Sequence, residues 1–217
     1  MKNIPRIFVG DDVTENSVIP APADVAHYLN NVMRRRDCLV FGGGREYCAQ
    51  LSDDKKHLVI GAQTAHRDPS GGVTLFFAPI KRTDDLINMA TQMGVAAFQP
   101  VITNRTTAHH INWTRMEKIA REAAEQSNRN SVPKIFPEIK LADIDLHGMV
   151  FADERAAYGA DLPAAPKSDR VLIGPEGGFS DDEFSRLDAA GARGISLGKT
   201  ILRAELAAAI ALAQVTE

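Results

Sequence analysis

Cysteine is scarce in this sequence, and long hydrophobic runs are absent. Cys38 and Cys48 are the only two cysteines among 217 residues, too few for a disulfide-stabilised scaffold or a four-cysteine zinc site. The longest apolar run, residues 206–213, is much shorter than a membrane-spanning helix requires. The N-terminal segment contains no apolar signal-peptide core before Asp11 and Asp12. We therefore expect a soluble protein that works in the cytoplasm, without a membrane partner.

An excess of basic residues is also missing. The 25 lysines and arginines are outnumbered by 28 aspartates and glutamates, which gives a net charge of −3. No overall positive field attracts nucleic acid, so any polyanion must be bound by a local basic patch. The hydrophobic fraction of 44% and the charged fraction of 24% are ordinary for a folded globular chain and argue against disorder.

The pattern of predicted elements changes near residue 70. Before it, short strands surround one amphipathic helix that begins at Asp24, its predicted cap. The predicted strands are 6–9, 38–41, 46–51 and 58–62, with a glycine turn at 42–44. Turn-forming residues at 66–72 mark a linker. We therefore predict one domain over residues 1–70 and a second over residues 71–217.

Residues 71–217 alternate between apolar strands and amphipathic helices. Residues 73–80 form a continuous apolar run, which is typical of a strand buried on both faces. Ser180 and Glu183 form the pattern of a capping box at a helix start. Other strands are predicted at 96–102, 149–152, 171–173 and 194–197, and other helices at 83–93 (capped by Thr83), 112–127 (with Trp113 inward) and 201–215. This alternation predicts an α/β fold with a mostly parallel sheet.

Residues 172–180, LIGPEGGFS, carry the clearest local signal for a binding loop. A buried strand runs into a glycine-rich turn and a helix follows almost at once. Glycines let a ligand approach the backbone closely, and ligands of open α/β sheets bind at the carboxyl ends of strands. The segment lacks the residues of a phosphate-binding loop and the spacing of a dinucleotide fingerprint. A tight strand-to-helix turn without a ligand explains the pattern about equally well.

A similar loop follows the last predicted strand. Residues 197–200, LGKT, lead directly into a helix whose first turn is predicted to contain Arg203 and Glu205. Glu205 is favoured by the helix dipole at that position, whereas Arg203 is disfavoured. Solvated charges at a helix start explain Glu205, but the position of Arg203 indicates a purpose beyond stability.

Together these two loops resemble a known family. LIGPEGGFSDDEF followed by LGKTILRAE is similar to the paired C-terminal motifs of the RsmE family, SPOUT-superfamily methyltransferases that modify N3 of a uridine in small-subunit ribosomal RNA. Three upstream segments match the family in order and spacing: IPRIFV, MATQMGVAAFQPVITNRT and AREAAEQSNRNSVPKI. The resemblance covers nearly the whole chain, and the two C-terminal motifs in combination are highly specific.

The resemblance implies a fold and a cofactor. The fold would be a small PUA-like β-barrel domain followed by a SPOUT-type parallel α/β sheet that ends in a C-terminal trefoil knot. S-adenosylmethionine would be held in the knot, largely by backbone groups, and the protein would be a homodimer. Carried over to this sequence, the cofactor-binding residues are Phe151, Ala152, Ile173, Gly174, Pro175, Glu176, Gly177, Gly178, Leu197, Gly198, Ile201 and Leu202.

The resemblance also implies catalytic roles. Its last motif places Arg203 beside the target uracil, where a guanidinium would stabilise the anion that develops as the imide proton leaves. Glu205 would orient Arg203 or help to accept that proton, although a purely dipole-complementing role fits it equally well. Glu176 is a second candidate carboxylate, or it caps its own loop. Ala204 and Leu206 stand where the family usually has threonines, and Gln92 where it usually has glutamate.

The implied substrate is 16S ribosomal RNA in the 30S subunit. Candidate RNA-binding residues are Arg6, Arg34, Arg35, Arg36, Arg105 and Arg129. Residues 1–68 contain as many acidic as basic side chains, so a solvated face explains the arginine triplet equally well. His109 and His110 have no third ligand nearby in the sequence, so we interpret them as a surface loop and expect no metal.

Two other functions remain compatible with the residues themselves. An α/β enzyme could use the GPEGG turn and the following helix start to bind a phosphorylated metabolite. A ribosome-assembly module could keep the fold and bind ribosomal RNA without catalysis. Binding of S-adenosylmethionine distinguishes the first alternative, and methyl transfer distinguishes the second.

Overall fold

The computed structural model describes residues 4–68, 71–107, 111–163 and 165–216, and it divides the chain into two units. The first unit comprises Met1–Ser70 and Arg121–Val132, and the second comprises Gly71–Ala120 and Pro133–Glu217. The sequence placed residues 121–132 in the second domain, and the structure corrects this because they pack with the first. Within the described ranges, no helix is both long and apolar enough to cross a membrane.

The first unit contains a five-stranded sheet. Its strands are β1 (Arg6–Phe8), β2 (Val18–Pro20), β3 (Asp37–Gly42), β4 (Arg45–Leu51) and β5 (His57–Arg67). Their order in the sheet is β1-β3-β4-β5-β2. Strand β1 is parallel to β3, and the other neighbours are antiparallel. The predicted hairpin is confirmed, because Gly43 and Gly44 connect β3 to β4 with φ values of 56° and 77°.

Three details of the first unit differ from the sequence predictions. Helix α1 spans Ala23–His27 and continues as a π-helical turn through Tyr28–Val32. Pro22 precedes it without a capping side chain, so Asp24 lies in the first turn and is not the cap. Strand β2 was not predicted, because its three residues are mostly exposed and lack an apolar alternation. Strand β5 extends to Arg67, into the predicted linker, whose Pro69 and Ser70 lie outside the described residues.

Arg6 is a structural residue of the first unit, and this corrects its predicted role in RNA binding. Its side chain is 10% exposed and forms an ion pair of 2.9 Å with Glu46, which is 6% exposed. Its two terminal nitrogens donate to the carbonyl oxygens of residues 124, 125 and 129 and to Asn130 Oδ1. A guanidinium has five N–H donors, and these five acceptors account for all of them. The guanidinium also stacks over the Phe41 ring at 4.6 Å.

We predict that Arg6→Ala lowers the free energy of unfolding by about 3–5 kcal/mol, because it leaves the buried Glu46 carboxylate without its partner. Arg34→Ala is the matched control, since it removes an exposed guanidinium and should change stability by no more than ~0.5 kcal/mol. Urea unfolding followed by circular dichroism measures both. Equal stability of the two variants would show that the Arg6 pair does not support the fold.

The second unit contains a parallel sheet, as the sequence predicted. Its strands are β6 (Thr74–Phe77), β7 (Ala97–Ile102), β8 (Lys134–Ile135), β9 (Ile139–Lys140), β10 (Val150–Ala152), β11 (Arg170–Ile173) and β12 (Arg193–Ile195). The order is β12-β10-β11-β6-β7-β8, and β9 pairs with the far end of β7. Every neighbouring pair is parallel. The carboxyl ends of β10, β11 and β12 therefore lie along one edge of the sheet.

The helices of this unit cover the sheet, apart from the end of α3 that belongs to the first unit. They are α2 (Thr83–Gln92), α3 (Trp113–Gln126), α4 (Asp181–Ala189) and α5 (Ala204–Thr216). Helix α5 packs against α2, β10 and β11. Thr83 is the first residue of α2 and not its cap, because its hydroxyl bonds to the backbone of Ile80. Trp113 is 37% exposed, which contradicts its predicted inward position.

Candidate active site

A cavity of about 270 Å³ opens at the carboxyl ends of β10, β11 and β12. It is lined by the loops that follow these three strands and by the start of α5, so segments distant in sequence share one wall. The position agrees with the general rule that open α/β sheets bind ligands beyond the carboxyl ends of their strands. Nine of the residues predicted to bind a cofactor line it: Ala152, Ile173, Gly174, Pro175, Glu176, Leu197, Gly198, Ile201 and Leu202.

Three other residues predicted to bind the cofactor do not line this cavity. Phe151 is fully buried and packs edge-on against the Phe179 ring. Gly177 and Gly178 lie in the same loop as Gly174 but face Arg105 and Glu154. These three residues therefore adjoin the cavity wall without lining it, and their contact with a cofactor stays a prediction.

The loop after β11 folds as a tight turn held by its neighbours. The Gly178 amide donates to the Pro175 carbonyl at 2.9 Å, and Gly178 has a φ of 68°. Its positive φ favours glycine, and a Cβ at this position would also displace the Glu154 carboxylate. Arg105 donates to the carbonyl oxygens of Gly177 at 2.9 Å and Phe179 at 3.1 Å.

The same loop leads into α4 through the predicted capping box, which is confirmed. The Ser180 hydroxyl accepts from the Glu183 amide at 3.3 Å, and the Glu183 carboxylate accepts from the Ser180 amide at 2.8 Å. The second oxygen of Glu183 accepts from the Asn104 amide at 2.7 Å. This buried carboxylate therefore joins the segment after β7 to the start of α4 and fixes where the turn ends.

Arg203 and Glu205 occupy different environments. Helix α5 begins at Ala204, so Arg203 stands just before the helix, where its carbonyl accepts the Ala207 amide at 2.8 Å. The exposed Arg203 lines the cavity. Glu205 is 7% exposed, lies 3.8 Å from the Arg82 guanidinium and is not among the lining residues. Glu205 therefore lies next to Arg82 and outside the cavity lining, and its predicted role beside Arg203 stays a prediction.

The two positions at which the family usually has threonine, Ala204 and Leu206, also lie in different surroundings. Ala204 is buried and lines the cavity, whereas Leu206 is 45% exposed and does not. Gln92 ends α2, and its amide donates to Asn88 at 2.5 Å. Of the three departures from the family pattern, the one at Ala204 is in direct contact with the cavity.

The sequence patterns missed several lining residues, of which Asp153 and Glu154 carry charge. Asp153 directly follows β10, and its side chain is fully buried. Its carboxylate accepts from the Arg155 amide and guanidinium. Burial raises the pKa of Glu154, and the neighbouring Arg105 partly offsets that effect. The motif FADE could have revealed both residues, because acidic side chains follow a buried strand directly.

The remaining candidate RNA-binding arginines have mixed surroundings. Arg34 is exposed, with a φ of 51°. Arg35 pairs with Asp37, and Arg36 pairs with Asp53 and donates to the Leu51 carbonyl. The pKa of Arg129 is lowered by burial, which also limits its contact with a polyanion.

A metal centre finds no support among the residues that the structure describes, where no group of three or more potential ligands comes together. His109 and His110, interpreted from the sequence as a surface loop, lie outside those residues. Arg105 binds the cavity loop through one terminal nitrogen, so its predicted contact with RNA would have to use its other donors.

Comparison with known proteins identifies the class of this fold and site. Residues 66–216 match a family model described as an RNA methyltransferase domain. A ribosomal RNA small subunit methyltransferase E from Rickettsia conorii is 34% identical over 97% of this chain and 94% of its own length. The Bacillus subtilis protein of that name is 27% identical over 97% of this chain and 95% of its own length.

A solved structure agrees with these sequence matches. The ribosomal RNA small subunit methyltransferase E from Neisseria gonorrhoeae, in a crystal structure bound to S-adenosyl methionine, superimposes with a TM-score of 0.82 at 26% identity. The match covers 97% of this chain and 96% of that one. The chain belongs to the ribosomal RNA small subunit methyltransferase E family.

Proposed function

We propose that this protein is an S-adenosylmethionine-dependent methyltransferase that methylates N3 of a uridine in 16S ribosomal RNA. The observation that carries the proposal is the cavity at the ends of β10, β11 and β12, where the two family motifs meet. The R. conorii relative, aligned over nearly its whole length, supports the same activity.

The residues of the cavity fit S-adenosylmethionine. Ile173, Leu202 and Ala207 supply apolar wall, and the loops around Gly174 and Gly198 supply backbone donors and acceptors. A Cβ at Gly198 would meet no protein atom within 4 Å, so this backbone borders open space that a ligand can use. Once bound, the cofactor supplies an electrophilic methyl group on a sulfonium. The lining residues after β10, β11 and β12 would hold it.

Arg203 has the position and chemistry to act on the uracil. It lines the cavity, its side chain is exposed, and a guanidinium can donate to a uracil oxygen. Negative charge grows on the uracil as its N3 proton leaves, so a donor held in place lowers the barrier to that step. Glu205 would act only indirectly, because it lies outside the cavity wall.

The resemblance extends the proposal to the substrate and the finer fold. The first unit would be a PUA-like barrel that binds 16S ribosomal RNA in the 30S subunit, with Arg34, Arg35 and Arg36 as candidate phosphate contacts and Arg105 and Arg129 as weaker ones. The second unit would be a SPOUT domain whose last segment threads a trefoil knot. The substrate implies a cytoplasmic enzyme. An experimental electron-density trace of the second unit tests the knot.

We also propose a homodimer formed through the second unit. The family resemblance supports it, as do the exposed Ile201 and Leu206 near the start of α5. Light scattering at micromolar concentration should give about twice 23.6 kDa. A monomer that still transfers methyl groups would contradict this part of the proposal.

Calorimetry with S-adenosylmethionine tests the binding site. The wild-type protein should bind the cofactor, and Gly198→Val should abolish binding, because its side chain would enter the open space beside the loop. Gly148→Val is the matched control: Gly148 also has a positive φ and open surroundings, but it does not line the cavity. Unchanged affinity in a folded Gly198→Val protein would show that the cofactor binds elsewhere.

Arg203→Ala separates catalysis from binding. We expect folding and cofactor affinity to stay nearly intact, while turnover falls by ~100- to 1,000-fold, because the donor acts as charge develops. Lysine should restore little if the planar guanidinium is needed. Arg193→Ala is a control for the loss of an exposed arginine outside the cavity lining. Loss of affinity in proportion to rate would make Arg203 a binding group, and unchanged turnover would remove it from the mechanism.

A further inference from the structure

Methylation at N3 of uridine requires a group that takes the imide proton, and Glu205 is not placed to do so. Our inference rests on the proposed function and concerns which side chain performs that step. Three carboxylates line the cavity among the residues that the structure describes: Asp153, Glu154 and Glu176.

Asp153 is already committed to internal bonds. Its side chain is fully buried, and its two oxygens accept from the Arg155 amide at 3.0 Å and from the guanidinium at 2.7 to 3.0 Å. Arg155 in turn pairs with Asp188, which holds the pKa of that carboxyl below its usual range. Both oxygens of Asp153 are therefore engaged by Arg155, and the residue serves to hold Arg155 in place.

Glu176 is exposed and points toward the segment after β6. One of its oxygens accepts from the Lys81 amide at 3.2 Å. This contact directs the carboxylate to the backbone of the neighbouring segment. Glu176 therefore supports the loop after β11 better than it serves as a base.

Glu154 combines access to the cavity with partial burial. It begins the 3₁₀ turn Glu154–Tyr158 directly after Asp153, and its carboxylate occupies the space that the missing side chain of Gly178 leaves. Arg105 lies on the other side of that loop, bound to the Gly177 and Phe179 carbonyl oxygens. No hydrogen bond to the Glu154 carboxylate occurs among the described residues, so its lone pairs stay available.

The charges around Glu154 suit proton transfer. Burial raises its pKa, the Asp153 carboxylate raises it further, and the Arg105 guanidinium lowers it. A carboxylate whose pKa is raised binds a proton more strongly than an ordinary glutamate does. Its affinity for a proton thus moves toward that of the imide nitrogen.

We propose that Glu154 is the catalytic base of this site. Its carboxylate removes the proton from N3 of the uridine, and the electron pair left on N3 forms the new bond to the methyl carbon of the cofactor. The bond between that carbon and the sulfonium breaks, and its electrons stay on sulfur. The products are N3-methyluridine, S-adenosylhomocysteine and neutral Glu154, which returns its proton to water. Arg105, bound to the carbonyl oxygens of the loop, supplies the nearby positive charge that lowers the pKa of Glu154.

The test is Glu154→Gln, which keeps the shape and polarity of the side chain but removes its proton affinity. We expect kcat to fall by ~100- to 10,000-fold while the calorimetric affinity for S-adenosylmethionine and the unfolding midpoint stay close to wild type. Glu154→Asp, which retains a carboxylate, should recover part of the rate. Glu138→Gln is the control for loss of an exposed carboxylate outside the cavity lining, and it should behave as wild type.

Two measurements exclude a structural role. The wild-type rate should rise with pH as Glu154 ionises, with a midpoint above that of an ordinary glutamate, and Glu154→Gln should lose this rise. In ¹³C spectra of glutamate-labelled protein without substrate, the carboxyl signal absent from Glu154→Gln should titrate at the same raised pH. Full turnover in Glu154→Gln, or loss of cofactor affinity in proportion to rate, would overturn the assignment. An inactive wild-type protein would instead refute the proposed function.

Discussion

The turn after β11 sets the strongest constraint on this structure. It must convert a buried strand into α4 within a few residues and still leave its backbone beside a cavity. The Glu154 carboxylate lies where a side chain at position 178 would begin, Arg105 donates to two carbonyl oxygens of the turn, and the Ser180–Glu183 capping box fixes its end. The cavity wall therefore depends on side chains from three segments that are distant in sequence. Loss of the Arg105 side chain would therefore loosen the loop that contains Gly174 and Pro175.

Several arginines of this chain are paired with carboxylates and therefore do not form a free basic surface. In a chain with net charge −3, Arg6, Arg35, Arg36 and Arg155 all form ion pairs with carboxylates. Arg6 and Arg155 hold buried acidic partners in place, whereas Arg203 faces the cavity without such a partner in the described part of the chain. This contrast between paired and unpaired guanidinium groups separates structural arginines from a candidate donor to substrate. Position in the motif alone would not have separated them.

The parallel sheet, the β3–β4 hairpin and the α4 capping box could be predicted from the sequence, because apolar runs and turn residues are local signals. The motif loops also located most of the cavity wall. The membership of residues 121–132 in the first unit could not be predicted, since it depends on Arg6 reaching the carbonyl oxygens near Asn130. The burial of Glu205 was missed for a similar reason, because its partner Arg82 lies at the start of another helix. Charged residues were assigned to solvent or substrate wherever their tertiary partners were far away in sequence.

The most direct measurement is methyl transfer from labelled S-adenosylmethionine to 30S subunits isolated from cells that lack this enzyme. Label should enter 16S ribosomal RNA at one uridine, and nuclease digestion followed by mass spectrometry should identify the product as N3-methyluridine. Binding of both cofactor and ribosomal RNA without transfer would show a non-catalytic assembly module. Methylation of a different atom or a different RNA would contradict the assignment of the cavity and of its base.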